Sequence, residues 1–267
     1  MAPMDRRDGR PLVIAHRGSS ASKAEHTLEA YVQALDEGAE GVECDIRLSA
    51  DGHLVCVHDR RVDRTTDARG IVSTMTLEQL NALDAGTWKN PWGDLDDEAE
   101  EPDREAQKVL TLPRLLEVVR GYDRRIEVAI ETKHPTRYAG LVERSLVSVL
   151  EDFDWTGAES PVQVMSFSGV ALTRVRRLAP EVEVVLLIEG QSWRVTRAML
   201  GQDWVAGPGV NELRRHPKLG RQLVRAGRRI RVWVVNTAED LDICLDVGAE
   251  AVITDRPGHI LDLLDGV

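Results

Sequence analysis

Nine short apolar runs rich in β-branched residues punctuate the chain, at Leu12–Ala15, Gly41–Asp45, Leu54–Val57, Ile126–Glu131, Val162–Ser166, Val182–Ile188, Trp204–Ala206, Ile230–Val235 and Ala251–Thr254. Runs of that length, bounded by polar or turn residues, predict buried strands. Between most of them apolar positions recur at helical spacing, over Thr27–Gly38, Leu112–Arg120, Arg137–Asp152, Val170–Leu178, Lys218–Gly227 and Ala238–Gly248. Strands alternating with helices predict a parallel sheet, which right-handed crossovers close into a barrel or wind into an open sheet. Nine runs are one too many for an eight-stranded barrel, and the surplus is identifiable. The link from Asp45 to Leu54 carries Asp51-Gly52, a hairpin signal, and it is too short for a parallel crossover. Leu54–Val57 is therefore expected antiparallel to its predecessor, within an insertion. The ~80 residues from Asp45 to Ile126 also exceed any ordinary β–α link. The expectation is an α/β fold, a TIM (β/α)8 barrel forming one domain over residues 11–267, with a small inserted segment over roughly 46–110, after the second barrel strand.

Polar side chains stand where several of these runs stop, the place where a barrel enzyme keeps its chemistry. His16 and Arg17 end the first run, Glu43 and Asp45 lie in the second, His58 and Asp59 end the third, and Glu131 and Lys133 the fourth. Glu43 and Asp45 are two apart on one strand and share a face. Two buried carboxylates repel unless a cation neutralises them, and Glu131 can supply a third oxygen. Oxygen-only ligation suits one divalent cation, Mg2+ or Ca2+; the competing reading is a salt bridge of Glu43 or Asp45 with Arg17 or Lys133. His16 and His58 are acid–base candidates because imidazole titrates near neutrality, against the alternative of hydrogen-bonded core histidines. Arg17 and Lys133 are candidates to grip a substrate phosphate, against structural ion pairing. Asp59 either orients His58 or caps the following turn. Glu25 precedes Thr27, the expected N-cap of the first helix, so a capping-region role competes with a direct one. His134 is expected to face outward, and Trp233 and Phe167 serve as pocket wall or core. The inventory suits phosphodiester cleavage.

H-R-G at His16, E-x-T at Glu25, E-x-D at Glu43, H-D at His58 and E-x-K at Glu131, in this order, resemble the glycerophosphodiester phosphodiesterase family of the phosphatidylinositol-phospholipase-C-like phosphodiesterase superfamily. The resemblance runs from about Val13 to Pro257 and includes VWVVNT and VITDRP. One departure stands out: where the family usually shows P-E-N-T, this chain has Ala24-Glu25-His26-Thr27, and no role is carried over to His26. The resemblance implies the same barrel with an insertion, and metal-dependent hydrolysis of glycerophosphodiesters, that is, deacylated phospholipids, to glycerol 3-phosphate and an alcohol. It also implies His16 and His58 as catalytic residues. The nucleophile is water or the substrate's own glycerol hydroxyl. Two rivals are a phospholipase D-like enzyme on lysophospholipid or sphingomyelin, and an inactive anion-binding barrel.

Composition narrows the partners. A net charge of −11 argues against nucleic acid and against adsorption to anionic membranes; an anionic substrate then requires a local reversal of field at Arg17 and Lys133. Lysine is scarce, five against 29 arginines, which makes the placement of Lys133 less accidental. No run approaches a membrane span, the polar N-terminus lacks a signal-peptide core, and three cysteines without metal-like spacing fit a reduced, cytoplasmic chain. Cys44, between Glu43 and Asp45, should turn to the opposite face and pack. The acidic block 94–103 reads as a solvated loop.

Overall fold

A computed structural model describes residues 9–90, 103–134, 140–190 and 193–266; most of the acidic block and the start of the helix expected over 137–152 lie outside them. Nine strands form: β1 (Leu12–His16), β2 (Gly41–Leu48), β3 (Leu54–Cys56), β4 (Glu127–Thr132), β5 (Val162–Ser166), β6 (Glu183–Ile188), β7 (Val205–Pro208), β8 (Arg231–Trp233) and β9 (Ala251–Thr254). Eight run parallel in the order β7-β6-β5-β4-β2-β1-β9-β8. Parallel bridges Ala206–Ile230 and Gly209–Trp233 bring the two ends of that series together, so the sheet is a nearly closed (β/α)8 barrel. The surplus run, β3, pairs antiparallel with β2, Ile46 opposite Cys56, as the Asp51-Gly52 turn requires.

The helices start where polar caps dictate. Thr27, Thr111, Ser168 and Thr237 each accept a backbone N–H from the first turn of α1 (Leu28–Asp36), α3 (Leu112–Arg120), α5 (Gly169–Leu178) and α9 (Ala238–Asp246). With α4 (Leu141–Asp152) and α8 (Pro217–Arg225), these match the six periodic stretches. The short α2 (Leu77–Asn81), α6 (Trp193–Met199) and α7 (Val210–Arg215), and α10 (Pro257–Asp265), were not expected; three are too brief for a convincing period, and α10 announces itself only by Pro at its start.

Alternation along the strands sorts side chains into two cores. Cys44, Ile46, Val128, Ile130, Val164 and Leu186 face the helices in the larger one; Ile14, Ala129, Met165, Val185, Val205 and Ile253 fill the barrel interior. Two residues earlier on the inward face of their strands stand Glu127, Gln163 and Glu183, and Arg231 lies two before Trp233, so the N-terminal end of the barrel is closed by polar groups. A third cluster, built on Val55, Val57, Val62, Val72 and Leu80, supports the segment between β2 and β4. Lys89 donates to the Ser20 carbonyl at 2.7 Å and Gln107 to Glu29 at 3.0 Å, strapping that segment over the loop after β1 and the first turn of α1.

Candidate active site

Strand register assembles the site. His16 lies beside Glu43 across the β1–β2 ladder, and Asp45 beside Glu131 across β2–β4. All four face the interior at the C-terminal end of the barrel. Glu43, Asp45 and Glu131 are buried, with one oxygen of each within 4.8 Å of the others. Burial first, and then the Asp45 charge, pushes the Glu43 carboxyl well above its ordinary value and the Glu131 carboxyl up to about 7. Asp45 is held well below the usual range although burial opposes this, because His26, Lys133 and Arg17 surround it.

Two full cations answer three carboxylates. Lys133 Nζ sits 2.9 Å from both Asp45 Oδ1 and Glu131 Oε2. Arg17 Nε is 2.9 Å from Asp45 Oδ2, and its Nη1 donates to Glu25 Oε1 at 3.0 Å. Arg17 reaches these partners from a left-handed backbone, φ 58°, which its amide secures by donating to Glu43 O and Oε2. The next residue, Gly18, also has positive φ, and a Cβ there would lie 2.5 Å from the Ala30 backbone. The tight loop thus accounts for the glycine of H-R-G.

Each candidate histidine has a carboxylate on Nδ1. His16 donates to Asp255 at 2.6 Å, and Asp255 in turn accepts from Ser20 and from Asn236 Nδ2. His58 donates to Asp59 at 2.8 Å. A carboxylate only accepts, so both rings carry Nδ1–H, and in the neutral tautomer Nε2 is the free base. His16 Nε2 lies 3.9 Å from Glu43. Burial holds the His58 imidazole below its usual value, against the raising effect of Asp45. The loop after β3 is pinned over the mouth by Val57 N donating to Asp45 O and by Arg47, whose Nε and Nη2 both donate to the His58 carbonyl.

Residues 16–259 match the model of the Glycerophosphoryl diester phosphodiesterase family. The chain belongs to the glycerophosphoryl diester phosphodiesterase family. A Mycobacterium tuberculosis protein named "Probable glycerophosphodiester phosphodiesterase 1" is 43% identical over 94% of this chain and 91% of its own length. A Caldanaerobacter subterraneus glycerophosphodiester phosphodiesterase is 29% identical over 95% and 97%. Among solved structures, an Oleispira antarctica phosphodiesterase in complex with the product sn-glycerol-3-phosphate superposes with a TM-score of 0.81 at 26% identity, covering 96% of this chain and 97% of that one.

For a glycerophosphoryl diester phosphodiesterase, the departure at position 26 gains a structural account. His26 is buried with φ 63°; its Nε2 donates to Asp45 Oδ2 at 3.0 Å and its Nδ1 lies 2.8 Å from the Tyr31 hydroxyl. It therefore steadies a carboxylate of the acidic cluster. Glu25 accepts from Arg64 and Arg17, which hold its carboxyl down to about 2 against the effect of burial. Asp59 orients His58. His134, expected to face outward, is largely buried instead, its Nε2 lying 3.4 Å from the buried Glu143 of α4. Phe167 meets Trp233 edge to face, 5.6 Å apart, with Trp233 also packed on the barrel interior. Asp255, Asn236 and Arg64 had no assigned place in the site. Asp255 carried a readable signal, a carboxylate just past a strand on the inward parity of Ala251 and Ile253; Arg64 carried none.

The acidic cluster fits a hard divalent cation. Three buried oxygen ligands converge, one positive charge short of neutrality against Arg17 and Lys133, and among the described residues the converging group consists of carboxylates alone.

Proposed function

We propose that this enzyme hydrolyses glycerophosphodiesters to sn-glycerol 3-phosphate and an alcohol by metal-assisted acid–base catalysis. The observation that carries the reading is the facing arrangement of the cluster Glu43, Asp45 and Glu131 and two histidines, each oriented by its own carboxylate. The product bound by the Oleispira relative supports the substrate class. Glu43, Asp45 and Glu131 would hold Mg2+ or Ca2+, which supplies charge neutralisation at the phosphoryl oxygens.

The remaining chemistry belongs to side chains. Arg17 and Lys133 receive the phosphodiester anion and orient it. His58, kept unprotonated at neutral pH by burial, takes the proton of the nucleophile on Nε2. His16, braced by Asp255 on Nδ1, enters the step protonated on both nitrogens and gives its Nε2 proton to the departing alkoxide; exchange with solvent afterwards removes the proton from His58 and returns one to His16. The nucleophile is water, or the substrate's glycerol hydroxyl followed by hydrolysis of a cyclic phosphate. The test is release of glycerol 3-phosphate from glycerophosphocholine by metal-stripped protein, before and after Mg2+ or Ca2+ is restored, beside lysophosphatidylcholine. Turnover of glycerophosphocholine that vanishes with chelator and returns with metal is expected. Metal-independent turnover removes the metal from the scheme, and preference for the lysophospholipid replaces the substrate.

A further inference from the structure

Arg64 lies in the segment between β2 and β4, far along the chain from β1, yet its guanidinium joins the two halves of the site. Its Nη1 and Nη2 donate to the two oxygens of Glu25 at 2.7 Å each, and its Nε donates to Asp59 Oδ2 at 2.6 Å. Glu25 also accepts from Arg17, which contacts Asp45; Asp59 accepts from His58. One continuous path thus runs His58–Asp59–Arg64–Glu25–Arg17–Asp45.

Among the described residues Asp59 has two partners, His58 and Arg64. Without Arg64, the carboxylate that sets the His58 ring would have no tether to the barrel, and Glu25 would keep Arg17 alone. The geometry uses a planar fork: two parallel bonds to one carboxylate and a third, from Nε, to another. A lysine presents a single point and cannot satisfy both carboxylates in this way.

We infer that Arg64 is a positioning residue, which fixes the His58–Asp59 pair of the inserted segment relative to Arg17 of the barrel. The inference rests on the reading of His58 as an acid–base group. Arg64 touches no reacting atom; it sets the distance between a proton-transfer group and the phosphate grip. Misplacement of such groups by about 1 Å is enough to cost on the order of 10²-fold in rate.

The experiment uses full-length, metal-loaded R64A, R64K and H58A with glycerophosphocholine, alongside melting curves and calorimetric titration of Mg2+ or Ca2+. The expected result for R64A is kcat lowered by about 10- to 100-fold with KM within about threefold, melting lowered by no more than about 4 °C and metal affinity unchanged. R64K should recover only part of the loss. Because the Arg64 side chain is 45% exposed, guanidinium at millimolar, non-denaturing concentration should enter the vacated place and restore R64A while leaving H58A inactive. A wild-type kcat for R64A overturns the inference. So does a raised KM at full kcat, which would make Arg64 a source of field only, and so does a loss that follows melting or metal affinity and resists guanidinium. Undiminished turnover by H58A would instead overturn the acid–base scheme.

Discussion

At the N-terminal end of the barrel Arg231, buried inside the strand ring, meets Glu183 at 2.5 Å, and Arg229 bridges Glu183 and Glu250. Arg125 serves Glu127 at 2.8 Å. At the C-terminal end Glu43, Asp45 and Glu131 share Arg17 and Lys133. The base matches three carboxylates with three guanidinium groups; the mouth leaves one negative charge over. Both ends place ionised groups where desolvation is costly. The base balances its charges within the protein, although Arg231 Nε and Nη1 find no hydrogen-bond partner among the described residues. The mouth stores the cost as raised carboxyl values at Glu43 and Glu131, a state that the proposed cation would relieve. On the function proposed above, the mouth differs from the base in leaving a charge for a ligand to balance.

The widest separation should appear in turnover. H16A and H58A are each expected to lower kcat by about 10²–10⁴-fold, with urea unfolding unchanged; a variant retaining most of its activity would deny the mouth its chemistry. At the base the reverse is expected. E183Q leaves Arg231 buried without its charged partner and should reduce unfolding free energy by about 3–5 kcal/mol, while kcat of the folded fraction stays at the wild-type value. A loss under about 1 kcal/mol would mean the base network carries little of the fold.

The third comparison turns on pH. The Glu131 value rises from 4.5 to about 7 on folding, so the folded state holds that proton more tightly than the unfolded chain. Its contribution is fully present below pH 4.5 and is lost as pH climbs through about 7. Metal-free E131Q should therefore melt higher than wild type at pH 8, by the equivalent of about 1–3 kcal/mol, and equal it near pH 4. Added Mg2+ or Ca2+ should raise wild type at pH 8 and leave E131Q unmoved. Equal melting of the two metal-free proteins at pH 8 would show that the mouth is already neutralised. The smallest effect concerns Glu25, lowered from 4.5 to about 2. Its stabilisation is present above 4.5 and disappears as pH falls toward 2. With the Arg64 partner largely exposed, E25Q should cost about 1 kcal/mol at pH 7, and acid titration of melting should lose that increment.

Much of this was legible in the chain. The β-branched runs and the Asp51-Gly52 turn specified eight parallel strands and one antiparallel intruder, because crossover length limits strand direction. Parity placed Glu43 and Asp45 on one face and Cys44 on the other, and strand-end position singled out His16, His58, Glu131 and Lys133. Asp255 satisfies the same rule but stands one residue past the apolar run Ala251–Thr254, where the β-branched pattern has already stopped.

What local pattern determined, then, is which residues face inward and where each strand stops, since both follow from period-two geometry and turn chemistry carried within a few residues. Tertiary structure alone decided the pairings: register set Asp45 against Glu131, barrel closure brought Asp255 to His16, and the folded-back segment set Arg64 between Glu25 and Asp59. Arg64–Asp59 apart, those contacts join residues from about 40 to 240 positions apart, and no periodicity encodes a distance that only packing of the whole barrel establishes.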